Sequence, residues 1–332
     1  MKALITGGGG FLGRYLVEAW LEKGHQVAIL GRSEHPDLTA RRVEFHQGDL
    51  ADLNLVRQAC EGCEVVFHTA AKAGVWGSRD SFWETNYQGT QNILTACRDK
   101  GVKRLIHTST PSVVFNRQPL RGVDESQPYG SGWLCHYAES KAAAEQEVLA
   151  EHAPGQLHTV ALRPHLIWGK GDNHLIPRIV ARAKAGKLKI VGEGTNKVDL
   201  VHVRNAASAH LLAEKKLRET EAACGGKSYF ITQGEPVVLW DWINNLLKRL
   251  DLPPVTRKVP LTVAYAAGAV LEGIYAITKI PGEPPMTRFV ATELAKDHYF
   301  DISAARKDLG YEPTFSEEEG LRQLVEELKQ KT

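Results

Sequence analysis

The chain has 332 residues, with 41 Lys and Arg against 39 Asp and Glu and an apolar fraction of 43%. That length suits one large α/β domain or two unequal lobes, and the near balance of charge gives no electrostatic case for nucleic acid. Five cysteines are spread thinly, and Cys60 and Cys63 form a lone Cys-x-x-Cys with no second pair to complete a zinc set. They read as reduced residues at the end of a helix, and no metal site is expected.

Met1-Lys2 leads straight into an apolar run with no signal-like segment before it, so a cytoplasmic location is expected. Short apolar runs at Ala3–Thr6, Gln26–Leu30, Val43–His46, Glu64–His68, Arg104–Thr108 and Thr159–Leu162 alternate with amphipathic segments. That is the pattern of βαβ units in a Rossmann-type, doubly wound parallel sheet. Phe11–Lys23 reads as the first helix, with Phe11, Leu12, Tyr15, Leu16, Ala19 and Trp20 on one stripe, and a second helix spans about Ser81–Asp99. A polar loop near Asp124–Gly132 precedes a helix carrying Tyr137.

After Gly169 the alternation gives way to helical patterns with short strands near Leu188–Val191, Val198–His202 and Ser228–Thr232. The expected division is a dinucleotide-binding domain over 1–168 and a smaller, mainly substrate-binding lobe over 169–332, some of whose segments return to the sheet. Val259–Lys279 is apolar for long stretches but is interrupted by Gly268, Glu272 and Gly273. A membrane span needs roughly 20 mostly apolar residues without a central charge. A buried or interfacial helix is therefore expected, one that could cover a greasy pocket and touch a membrane surface or a partner enzyme. Pro281-Gly282-Glu283-Pro284-Pro285 forces a turn after it.

Thr6 closes the first strand, and Gly7, Gly8, Gly9 and Gly10 run into Phe11, Leu12 and Gly13 at the start of a helix. Glycines there permit a tight strand-to-helix turn and close approach of backbone to a pyrophosphate, whose charge the helix N-terminus stabilises. The second strand ends Gly31-Arg32-Ser33. An acid at this point accepts from a ribose 2′-OH, whereas Arg accommodates a 2′-phosphate. With Gly31 in the acid's place and Arg32 and Ser33 as donors, NADP(H) is preferred, although Glu34 is close by and NAD(H) stays open.

Tyr137 and Lys141 stand four residues apart, on one face of a helix. A cation beside a phenol favours its ionised form, so Tyr137 is expected to exchange protons near neutral pH. The spacing alone is weak, since many helices place Lys after Tyr by chance. Its company with the glycine turn gives it meaning.

With these motifs the chain resembles the extended short-chain dehydrogenases/reductases over nearly its whole length. The likeness runs through Thr6–Gly13, Gly48-Asp49-Leu50, His68-Thr69-Ala70-Ala71, Asn86 with Gly89-Thr90, Tyr137 and Lys141, Leu162-Arg163-Pro164, and Asp301-Ile302-Ser303 with Leu309–Pro313. Within that family it resembles the 3β-hydroxysteroid-dehydrogenase-like branch. Segments 72–78, 108–113 and 281–289 are similar to bacterial reductases of 2-alkyl-3-oxoalkanoic acids in long-chain olefin biosynthesis.

The resemblance implies that Asp49 and Leu50 flank the adenine, that Ala70 and Ala71 run along the cofactor, and that Asn86 and Pro164 lie beside it. It implies Tyr137 as the proton-transfer residue and Lys141 as partner to the nicotinamide ribose. The catalytic hydroxyl falls by position on Thr110, with Ser109 and Ser112 as near alternatives. His165 and Trp168 would face nicotinamide and substrate, or else pack the lobe. Trp76 and Ser112 are further substrate candidates, and Lys72 or Arg288 could meet a substrate carboxylate.

The expected activity is NADP(H)-dependent reduction of a 3-oxo group on a small hydrophobic acid. A 3β-hydroxysteroid (sterol) dehydrogenase is the alternative within enzymes, and a non-catalytic dinucleotide-sensing protein the alternative outside them. A homodimer is the expected assembly.

Overall fold

A computed structural model of the chain describes residues 1–219 and 222–331. Its centre is a seven-stranded sheet, all parallel, running from edge to edge as Ser228–Ile231, His158–Pro164, Arg104–Thr108, Val65–His68, Lys2–Thr6, Gln26–Gly31 and Glu44–Gln47. The six strands read in the first half of the sequence are all present, within a residue or two at their ends. They are legible because helices cover both faces: Ala3, Leu4, Ile5, Val65, Val66, Phe67, Leu105 and Ile106 are fully buried, and such strands read as continuous apolar runs.

One face carries the Phe11–Glu22 and Val203–Leu217 helices, and the other carries Leu53–Ala59 and Gly89–Lys100. The helix expected over Ser81–Asp99 forms as Arg79–Phe82 and Gly89–Lys100 joined by a π-helical turn over Trp83–Gln88. Strand order reverses between Lys2–Thr6 and its neighbour Val65–His68, which opens a crevice beyond their carboxyl ends.

Residues beyond Gly169 are not segregated from this body. Ser228–Ile231 forms an edge of the main sheet, and the Val203–Leu217 helix packs on it. The expected strand over Val198–His202 is two short ones: Lys197–Val198 joins a second sheet, while Val201–His202 pairs with Ile167–Trp168. That second sheet runs Val237–Val238, Lys197–Val198, His298–Phe300, Leu120–Val123, so it combines a strand from the first half with three from the second. A separate core of Trp168, Trp240, Trp242, Ile176 and Leu246 fills the lobe below it.

Val259–Lys279 forms an 18-residue helix, Leu261–Thr278, ended by Lys279 in the left-handed region at φ 52°. Its placement is not that of a core helix. Only Ala264, Gly268 and Glu272 are buried.

Candidate functional site

The glycine turn lies at the carboxyl end of the central strand. Gly10 caps the Phe11–Glu22 helix with extended backbone and no side chain bonds the first helical amides. Those N–H groups face the crevice with the partial positive charge of a helix start, which suits a pyrophosphate. At Gly13 a Cβ would lie 2.1 Å from the Gly7 carbonyl oxygen, so only glycine lets the helix begin this close to the turn. Phe11 and Leu12 follow directly, with Leu12 buried in the core.

Ala70 donates its N–H to Thr6 Oγ1 at 3.2 Å and lies against Gly7, and Ala71 is exposed beside it. At the end of the second strand Arg32 and Ser33 are both exposed. Next to them Arg14 donates to Asp37 and, at 3.3 Å, contacts His35 Nδ1, while the His35 ring covers Gly9. Sequence reading passed over Arg14 and His35, which are separated in the chain and meet only through the turn.

Asp49 accepts from the Ala51 N–H at 3.0 Å, and Leu50 is buried with its carbonyl held by Asn92 at 2.7 Å. The glycine turn, uncapped helix start, small Ala70/Ala71 edge and exposed Arg32 together fit a dinucleotide.

Across the crevice, Arg104–Thr108 ends in Ser109 and Thr110. Thr110 caps the 3₁₀ turn Pro111–Val114 by accepting from the Ser112 N–H at 3.2 Å, and its hydroxyl donates to Ser112 Oγ at 3.2 Å. It also lies near enough to the Tyr137 phenol to favour its ionised form. Ser109 is buried, and its hydroxyl finds no partner among the described residues. Of the three hydroxyls, Thr110 is the one that acts on the Tyr137 phenol.

The helix His136–Ala150 places Tyr137, Lys141 and Glu145 on one face at successive turns. Glu145 forms a buried bidentate pair with Arg163, at 2.5 to 3.1 Å, and accepts from Tyr129 at 2.8 Å, which ties this helix to the His158–Pro164 strand. Lys141 is buried, and its Nζ donates to the Thr108 carbonyl at 2.7 Å and to His107 Nε2 at 3.1 Å.

Lys141 was expected to lower the phenol's pKa. Burial dominates here instead, pushing Tyr137 up to about 12 against the opposing pull of Thr110. The same desolvation brings Lys141 down to about 7, with Glu145 pulling the other way. Near pH 7 the phenol is thus neutral and Lys141 about half protonated.

Asn86 lies on the π-helical turn and is fully buried. Its amide bonds both backbone groups of Lys72, at 2.7 and 3.2 Å, and Ser140 Oγ at 3.0 Å. It pins the segment after Ala71 to the Tyr137 helix. Around Tyr137 stand Phe115, Phe289, Val75 and Trp133, an apolar cluster. Trp76 meets Tyr275 edge-on at 6.3 Å.

Two substrate expectations are corrected. Trp168 is buried among Trp242 and His202 in the lobe core, with ring centroids 5.3 and 5.1 Å away, so it packs the lobe. Arg288 is tied to Glu272 at 2.6 Å and so is not a free cation for a carboxylate. Lys72 donates to Ser81 Oγ at 2.7 Å. His165, just after Pro164, is buried, bonded to His298 Nδ1 at 2.6 Å and edge-on to Phe300. Among the described residues no group of three or more metal-binding side chains occurs.

The sequence profile of the 3-beta hydroxysteroid dehydrogenase/isomerase family matches residues 4–261. This chain belongs to that family. Among family relatives, a 2-alkyl-3-oxoalkanoate reductase of Stenotrophomonas maltophilia is 47% identical, covering 98% of both chains. A protein of the same name from Shewanella oneidensis is 46% identical, covering 97% of this chain and 85% of its own.

Among solved structures, a dTDP-glucose 4,6-dehydratase double mutant from Streptomyces venezuelae with NAD bound superposes with a TM-score of 0.77 at 25% identity, covering 99% and 97% of the two chains. The chain is therefore an oxidoreductase of the extended short-chain dehydrogenase/reductase type, and its crevice is consistent with a nicotinamide dinucleotide such as the NAD bound by that neighbour.

Proposed function

We propose that this protein uses NADPH to reduce the 3-oxo group of a hydrophobic acid to a hydroxyl, with a 2-alkyl-3-oxoalkanoic acid as the substrate. The observation that carries the reading is the Tyr137 phenol, near Thr110, one helical turn from Lys141 and walled by Phe115, Phe289 and Val75. A proton donor set in an apolar wall suits a carbonyl flanked by alkyl chains. The two full-length relatives bearing that substrate's name support the choice.

The bound dinucleotide supplies the hydride. As negative charge grows on the carbonyl oxygen, Tyr137 gives it the phenolic proton, and the Thr110 hydroxyl donates a hydrogen bond to the same oxygen. Burial holds the phenol protonated until that charge appears. Lys141 lies one helical turn away, where its ammonium would stabilise the tyrosinate that remains and bond a ribose hydroxyl.

Exposed Arg32 and Ser33, with Gly31 where an acid would oppose a 2′-phosphate, support NADPH over NADH. All five cysteines are free and buried, as a reducing cytoplasm allows.

The test is NADPH oxidation across long and short 2-alkyl-3-oxoalkanoic acids, 3-oxo sterols and nucleotide sugars. Turnover of the oxo acids is expected. Turnover confined to sterols would move the protein to the sterol branch, and dinucleotide binding without turnover would leave a binding protein.

A further inference from the structure

We propose that the Leu261–Thr278 helix docks on an anionic lipid bilayer, lying in the headgroup plane rather than crossing it. The helix is about 27 Å long at 1.5 Å per residue. Along its outer stripe Val263, Val270, Ile274 and Ile277 are 54%, 62%, 43% and 83% exposed. Between them stand Ala266, Ala267, Ala269 and Gly273, all exposed, and no charged side chain occurs on this face. Scattered apolar residues on a surface are ordinary, but a face that continues through about four turns marks a binding surface.

The inner side fixes the orientation. A Cβ at Gly268 would lie 2.7 Å from the Thr287 carbonyl carbon, so the helix presses on the following segment with nothing between. Glu272, the helix's one charged residue, is buried and accepts from both the Arg288 N–H and Nε at 2.6 Å. A helix riveted along its inner side by an ion pair cannot turn upright to span. It can press its outer face against a surface.

Charge selects the occupant. Arg257 and Lys258 precede the helix, Lys189 comes just before Ile190, which pairs with Lys258, and Lys279 ends the helix; all four cations are exposed. Glu193 approaches Lys258 at 3.9 Å and offsets part of this charge. A second copy of the chain, packed antiparallel, would set Arg257 and Lys258 against Lys279; packed parallel, it would set each cation against itself. Phosphate-bearing lipid offers the complement, at roughly 1 kcal/mol per cation near the surface. The opposite, inner side of the helix adjoins the site: Tyr275 meets Trp76, and Val75 joins Phe289 and Tyr137 in one apolar cluster.

The experiment is flotation of the full chain with phosphatidylcholine vesicles, with and without 30% phosphatidylglycerol, alongside light scattering of the free protein. No substrate is present, so the result stands apart from the reading of the reaction. Binding to the anionic vesicles is expected, falling at least tenfold in the triple variant Val270→Ser, Ile274→Ser, Ile277→Ser and severalfold in Arg257→Gln with Lys279→Gln. Thermal unfolding of both variants should match the parent, since these side chains are exposed. The proposal is overturned if the parent ignores anionic vesicles, or if it is a dimer that the triple variant splits without any loss of vesicle binding.

Discussion

Lys141 Nζ lies 3.1 Å from His107 Nε2, so a buried ammonium is held by an imidazole from the neighbouring strand. To accept that bond His107 must be neutral, with its lone pair on Nε2 and its proton on Nδ1. Burial, together with the nearby Lys141 charge, keeps it well below the usual histidine range.

The depressed pKa of Lys141 has a measurable cost. The unfolded chain holds this proton up to about pH 10.5, the folded chain only up to about 7. Between those values the unfolded state binds one proton more, so stability rises with pH, and the full penalty is present below pH 7. Lys141→Met should therefore raise the Tm of the protein without added dinucleotide at pH 6, by several degrees at about 2–4 °C per kcal/mol. By pH 10.5 most of that gain should be gone. Equal gains across this range would show that Lys141 is not held near neutrality.

Tyr137→Phe removes the proton donor and leaves its ring in place. Turnover should fall by about 10²–10⁴, the usual worth of a positioned acid. Dinucleotide affinity, followed by fluorescence titration, should change less than about threefold. Near-parental turnover would require another donor.

Three hydroxyls follow the Arg104–Thr108 strand, and Thr110 is the one that lowers the Tyr137 pKa against burial. Thr110→Ala should lower kcat by about 10–100-fold, about 1.4–2.7 kcal/mol, whereas Thr110→Ser should retain most of it. Ser109→Ala should be nearly silent in kcat. The comparison fails if Ser112→Ala proves the more damaging change.

Arg32 decides the dinucleotide in the proposed reading. Arg32→Asp removes a phosphate donor and adds like charge, so kcat/KM with NADPH should fall at least tenfold while that with NADH holds or rises. A parent enzyme already preferring NADH would remove the basis for this.

The parallel sheet was legible because buried strands are written as uninterrupted apolar runs, and the glycine turn because Gly13 has no substitute where the helix meets Gly7. Tyr137 and Lys141 were legible because they share one helix. His107 was not, since a histidine within a buried run gives no sign of facing a lysine from another element. Trp168 misled for the opposite reason: its place after Arg163-Pro164 suggests the site, yet the chain turns at Gly169 and sends the indole into the lobe core. The apolar helix was half legible. Its composition was plain, but Glu272 looked like an obstacle until Arg288 was seen beside it.

The pairing of Leu120–Val123 with His298–Phe300 also bears on how this protein can be re-engineered. The two parts of the chain are laced together, by that sheet and by Ser228–Ile231 at the edge of the central one. A chimera made by a single crossover after Trp168 would exchange a strand of the cofactor-binding frame along with the lobe and break two sheets at once. In the proposed reading, substrate range would be transplanted as two cassettes, 72–78 and 261–290, grafted onto an otherwise untouched scaffold.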